Sequence, residues 1–319
     1  MTEDRIHRAV SADGTEIVGR VHGQGAPLVL VHSPVHDGDI AWEALLPLLT
    51  DRFTCYLPSL RGRGLSGDNP DHSPPRSHFQ EDVDAFVDSI GESVYVMGWS
   101  DGGSLALGAA AHSDAVAAVA AYEPSVWTLM REDDLARFGS TTEQWMDAAA
   151  DGRLLDAAHI FHHFVCTDDE FAALDADYLD RQARLFPLLM REVQQGMSYE
   201  GPQPTDPEVL GQIEAPVLVL LAQQTRLGTW FTDSARHVAN HVADPHVRVL
   251  PDVGHLAPLV APEPVAKELI SFLESVHHRD AARNFGIDVS TRVVRPRVAP
   301  ITVIEGGHER ARATARLRA

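Results

Sequence analysis

Val94-Tyr95-Val96-Met97-Gly98-Trp99-Ser100-Asp101-Gly102-Gly103-Ser104-Leu105-Ala106-Leu107 is the stretch on which the reading of the fold turns. Residues 94–97 are a continuous apolar run, the pattern of a strand covered on both faces, and an apolar helical segment opens at Ser104. A serine held between a strand and a helix adopts a strained backbone, and glycines at 98 and 102 remove the Cβ atoms that would crowd it. The pentad Gly-x-Ser-x-Gly arises easily by chance. Flanked by a strand and a helix, it becomes a turn that presents a nucleophile, here Ser100. The start of the helix directs backbone N–H groups and the positive end of its dipole at the reacting oxygen, so the Asp101 N–H is a candidate oxyanion donor. The Asp101 side chain is explained more simply as a carboxylate favoured at a helix start. The competing reading of Ser100 is a helix-capping serine.

Outward from this turn, the chain alternates strands and helices. Residues 5–10 and 15–22 read as a hairpin around Asp13-Gly14. Apolar runs at 28–31, 53–57 and 116–121 read as buried strands, with helical patterns at 42–49, 81–90 and 104–111 between them. A second set follows, with strands at 217–221 and 247–250 and helices at 231–242 and 264–276. The alternation predicts an α/β fold, a doubly wound, mostly parallel sheet of about eight strands. The core is expected from residues 1–123 and 213–276. The intervening 124–212 is helical in pattern and carries Trp127, Trp145, Phe161, Phe164, Phe171, Tyr178, Phe186 and Tyr199. It reads as a cap over the carboxyl edge of the sheet, where open α/β sheets bind ligands. Most of these aromatics are expected to form the cap's own small core, with some facing the nucleophile.

The formal charge of −20 argues against nucleic acid or an anionic membrane surface as partner. From Arg279 onward there are nine arginines against four carboxylates, so the body is more acidic than the total implies. This tail, 277–319, reads as disordered, with an arm for a homo-oligomer as the alternative. No apolar run approaches the roughly 20 residues that span a bilayer, and the first residues lack a signal-peptide pattern. The expected location is the cytoplasm. Cys55 and Cys166 suggest buried side chains and no disulfide framework.

Taken in order, Leu28-Val29-Leu30-Val31-His32, Arg61-Gly62-Arg63-Gly64-Leu65-Ser66-Gly67, Gly98-Trp99-Ser100-Asp101-Gly102-Gly103 and Pro251-Asp252-Val253-Gly254-His255 resemble the α/β-hydrolase superfamily over roughly residues 5–276. The resemblance implies that His255, in a Gly-His loop after the last strand, is the base that takes the Ser100 proton, as imidazole does near neutral pH. In most superfamily members an Asp follows the strand matching 217–221, but here the sequence is Ala222-Gln223-Gln224-Thr225-Arg226. The other superfamily position for the acid follows the strand before the cap, where Glu123 stands. Asp233 is the reserve acid.

A second departure concerns the oxyanion site. Relatives carry His-Gly after the strand ending at Val31, and the next residue donates the second N–H. Here the segment is His32-Ser33-Pro34-Val35, and Pro34 has no N–H. The second donor is then the Val35 N–H, the Ser33 hydroxyl, or absent. Losing one such donor slows acyl transfer roughly 10²–10³-fold. Ser33, Pro34, Trp99 and Trp127 are expected to line the substrate pocket. His159, His162 and His163 invite a metal reading, but no carboxylate completes a His-Glu-x-x-His motif, so no metal and no cofactor is expected.

The expected activity is therefore that of a serine hydrolase cleaving an ester, thioester or lactone with an apolar acyl part, through Ser100, His255 and Glu123. The alternatives are elimination, cyclisation or C–C cleavage of a polyketide-like small molecule on the same scaffold, and a non-catalytic binding protein.

Overall fold

The computed structural model describes residues 5–69, 77–195 and 201–284. The described residues up to His277 form one compact unit. The strands are β1 (Arg5–Val10), β2 (Glu16–Gly23), β3 (Ala26–Val31), β4 (Phe53–Pro58), β5 (Val94–Trp99), β6 (Val116–Tyr122), β7 (Val217–Ala222) and β8 (Pro245–Leu250). They form one eight-stranded sheet in the order β1-β2-β4-β3-β5-β6-β7-β8. The β1–β2 and β2–β4 pairs are antiparallel and all pairs from β4 to β8 are parallel. This is the expected doubly wound, mostly parallel α/β sheet.

The helices before the insertion are α1 (Gly38–Trp42), α2 (Ser77–Ser89) and α3 (Asp101–His112). Between β6 and β7 lie α4 (Glu132–Ala150), α5 (Leu154–Val165), α6 (Asp168–Ala173), α7 (Ala176–Ala183), α8 (Phe186–Gln194) and α9 (Pro207–Leu210). The chain continues with α10 (Gly228–His241), α11 (Ala257–Val260) and α12 (Pro262–Asn284).

Side chains alternate across the pleat, so each parallel strand feeds two cores. Val29, Val31, Val94, Val96, Val119, Ala121, Val217 and Val219 face α2, α3 and α10 on one side. Leu28, Leu30, Tyr95, Met97, Ala118, Ala120, Leu218 and Leu220 join Trp42 of α1 and Leu269 and Phe272 of α12 on the other. Fully burying one such Val or Leu contributes roughly 1.5–3 kcal/mol, which is why these strands contain apolar residues at consecutive positions instead of alternating with polar ones.

The single helix expected over 42–49 is instead α1 followed by a 3₁₀ turn at Leu46–Leu48. Pro47 explains the break, since it has no N–H with which to continue the helical bonding to the Glu43 carbonyl and sits instead in the first turn of the 3₁₀ segment. Asp37 starts α1 by accepting from the Asp39 and Ile40 N–H groups at 2.9 and 2.8 Å. The last helix extends beyond the expected residue 276, to Asn284. Residues 285–319, with the reading of the tail as disordered or as an oligomer arm, lie outside the described residues.

Within the insertion, Ala148, Ala149, Ala157, Ala158 and Ala183 let α4, α5, α7 and α8 approach closely around Trp145, Phe186 and Leu189. No helix among the described residues is long and apolar enough to cross a membrane.

Candidate active site

Ser100 stands between β5 and α3 with φ 58° and ψ −124°, a left-handed backbone that a non-glycine residue rarely adopts. The turn is held from below, where the Ser100 N–H donates to the Tyr122 carbonyl at 2.9 Å, and from above, where the Gly103 N–H donates to the Ser100 carbonyl at 2.9 Å. A Cβ on Gly98 would overlap the Gly102 carbonyl, and one on Gly102 would overlap the Val31 and His32 carbonyls. The two glycines are therefore required by close backbone packing. The Ser100 hydroxyl makes no capping bond to α3, which removes the helix-cap reading. Its oxygen lies 3.3 Å from the Ser125 hydroxyl, long for an O–H···O bond, so little holds it back from another partner.

Glu123 follows β6 and is fully buried. Its Oε2 accepts from His255 Nδ1 at 2.7 Å and its Oε1 accepts from the Ala222 N–H at 3.1 Å. The end of β7, which has no carboxylate of its own, thus supplies a backbone donor to the carboxylate of β6. Burial raises the pKa of Glu123, and the bond to His255 opposes that shift. His255 lies in the loop between β8 and α11, its ring stacked on Phe231 at 4.8 Å between centroids. Two further bonds fix its loop: the Tyr122 hydroxyl donates to the Gly254 carbonyl at 2.6 Å, and the Leu256 N–H donates to Glu170 Oε1 of α6 at 2.7 Å.

Asp233 is not brought to His255. It sits on α10, its carboxylate paired with Arg236 at 2.6 Å and Arg131 at 3.3 Å. The Asp101 carboxylate accepts from the Trp127 indole N–H at 2.8 Å, so it anchors an aromatic side chain beside the helix start.

Ser100, Asp101, Ser125 and His255 open on a cavity of about 490 Å³. Ser33, Pro34, Val35 and Trp127 are among its lining residues. Trp99 does not: β5 alternation turns its indole away from Ser100, into the core beside Trp42 and His36. Trp145, Phe161, Phe164 and Phe186 also line the cavity, so more of the insertion's aromatics face it than their reading as a separate small core implied. Phe171 and Tyr178 are not among the lining residues, and Tyr199 lies outside the described residues. Among the described residues, no Lys or Arg lines the cavity.

Among the described residues no group of three His, Cys, Asp or Glu side chains is placed to hold a metal. His162 is buried, with Nε2 at 3.2 Å from Gln182 Oε1, while His159 and His163 pack against Phe171. Burial pulls the pKa of His162 down to about 4.

Several residues at the site were not anticipated. Ser125 has a weak signal, a small hydroxyl residue just after the strand carrying Glu123. Glu170 and Arg63 have none, because their partners lie 86 and 129 positions away.

A family model described as Alpha/beta hydrolase family matches residues 22–268. No curated protein sequence matches significantly. Among solved structures, an alpha/beta hydrolase from Sphaerobacter thermophilus is 25% identical with a TM-score of 0.62, covering 84% of this chain and 100% of its own. A thermophilic esterase from Thermogutta terrifontis is 22% identical, TM-score 0.67, covering 86% and 99%. The esterase RhEst1 from Rhodococcus is 22% identical, TM-score 0.67, covering 85% and 99%. With the family match spanning most of the sheet and the turn at Ser100, the chain belongs to the alpha/beta hydrolase family.

Proposed function

We propose that this protein is a serine hydrolase that cleaves an ester, thioester or lactone whose acyl part is uncharged and apolar, with aromatic groups favoured. The observation that carries the reading is the 2.7 Å bond between His255 Nδ1 and the buried Glu123, with His255 opening on the same cavity as the strained Ser100. With Nδ1 engaged by a carboxylate, Nε2 is the ring atom available to take a proton. Ser100 Oγ attacks the carbonyl carbon as His255 Nε2 accepts its proton, and Glu123 stabilises the imidazolium. The Asp101 N–H and the Val35 N–H receive the oxyanion. Collapse expels the alcohol or thiol, protonated by His255, and water then releases the acyl group by the same steps in reverse order.

The helical insertion, about residues 124–212, acts as the cap that walls the acyl pocket. Aromatic walls from both the insertion and α10, with no Lys or Arg lining the cavity among the described residues, disfavour an acyl group that carries a carboxylate.

The test is Ser100→Ala with p-nitrophenyl esters and a fluorophosphonate probe. Turnover and labelling are both expected to vanish, and kcat/KM of the wild type should fall from a phenylacetyl to a hemisuccinyl ester. Labelling that survives Ser100→Ala would overturn the assignment.

A further inference from the structure

Arg63 is fully buried, yet it lines no part of the cavity. Its Nη1 and Nη2 fork onto the carboxylate of Glu192 in α8 at 2.9 and 2.6 Å. Nη1 also donates to the Arg61 carbonyl at 2.8 Å, and Nε donates to the Pro34 carbonyl at 2.9 Å. Phe79 lies beneath the guanidinium, 5.3 Å from its ring centre. A planar fork with this many fixed donors has one orientation, which Lys cannot reproduce.

The Pro34 carbonyl belongs to the same peptide group as the Val35 N–H. That group is trans, as all described peptide bonds are, so its C=O and N–H point in opposite directions. Anchoring the carbonyl on buried Arg63 therefore turns the N–H away from Arg63. Val35 lines the cavity that contains Ser100, and among the described residues its N–H donates to nothing. The turn is closed by the His36 N–H donating to the Ser33 carbonyl at 2.9 Å, with Pro34 at the position its fixed φ suits. The Ser33 hydroxyl instead points to His36 Nδ1, at 3.5 Å.

We propose that Arg63 is a positioning residue that aims the Val35 N–H at the developing oxyanion, and that Glu192 holds Arg63, so the helical insertion sets the geometry of the reacting site. The inference rests on Ser100 being the nucleophile. It replaces the donor that Pro34 cannot supply with one whose direction is fixed from behind.

The decisive variant is Arg63→Lys in the full-length protein, which keeps a cation against Glu192 but cannot fork onto it while donating to Pro34. On p-nitrophenyl butyrate, kcat should fall about 10²–10³-fold, the loss expected for one oxyanion donor, with KM within about threefold. Inhibition by benzeneboronic acid, whose adduct places an oxygen in the same site, should weaken in parallel with kcat/KM. Arg63→Gln combined with Glu192→Gln removes both buried charges together and should show the same kcat loss, which covers the case in which Arg63→Lys does not fold. Arg181→Ala breaks a solvent-accessible ion pair between α7 and Glu43, 2.7 Å long, and should leave kcat unchanged. A folded Arg63→Lys with wild-type kcat, or a loss confined to KM, overturns the inference. If Ser100→Ala retains esterase activity, the underlying reading falls instead.

Discussion

At Glu123 and Asp233 the same side-chain chemistry stands in opposite surroundings. Glu123 is sealed against His255 and the Ala222 N–H, whereas Asp233 pairs with two arginines on the surface of α10. Glu123→Gln preserves size but replaces the acceptor that holds the imidazole tautomer, so kcat should drop about 10³–10⁴-fold. Asp233→Asn loses only exposed ion pairs, worth about 0–1 kcal/mol, and kcat should stay within about twofold of wild type. Steady-state kinetics of the two variants side by side checks the assignment, and a large loss in Asp233→Asn would reverse it. The carboxylate's place after β6 was legible because an acid was missing after β7. The bond to Ala222 was not, since it requires β6 and β7 to be neighbours in the sheet.

Helix α3 illustrates how an element can be legible while its tolerance is not. Gly98 and Gly102 mark the turn in sequence, yet the reason neither accepts a Cβ is the proximity of the α3 and β3 backbones, which only packing defines. Gly102→Ala should destabilise the protein by about 3 kcal/mol through backbone overlap that no rotamer relieves. Gly139, exposed within α4 and with nothing near its would-be Cβ, offers the matched contrast. Gly139→Ala should stabilise by about 0.5–1 kcal/mol, because alanine loses less backbone entropy on entering a helix. Urea midpoints of the two variants should move in opposite directions. The break between α1 and its following 3₁₀ turn had a visible local cause in Pro47, overridden in the sequence reading by the apolar periodicity of 42–49.

Over the whole molecule, buried histidines couple stability to pH. Burial pulls His32 down to about 3 and His162 to about 4, and holds His36 well below its usual value. In the unfolded chain these groups titrate near 6.5. As pH falls from 6.5 toward 4, the unfolded state takes up protons that the folded state does not, so stability is full above 6.5 and is lost across that window. Each such group contributes about 1.4 kcal/mol per pH unit, or roughly 4 for the three together. Glu123 acts with the opposite sign: its raised pKa adds stability at low pH that is lost as pH rises from its unfolded value through its folded one. Denaturant titrations from pH 7 to 4.5 should show the acid loss, and His162→Gln should reduce the slope by about 1.4 kcal/mol per pH unit. An unchanged slope in that variant would show that His162 is not buried as a neutral ring.

Strand, turn and helix order, the strained turn that makes Ser100 the candidate nucleophile, and the absence of a donor at Pro34 follow from the residues alone, because backbone strain, pleat alternation and a missing N–H are local properties of the chain. The partner of Glu123 at the end of β7, the burial of Trp99 away from the cavity, and the path from Glu192 through Arg63 to Pro34 join residues far apart in sequence. Such pairings are defined only when sheet register and helix packing bring distant backbones together and exclude water around their polar groups.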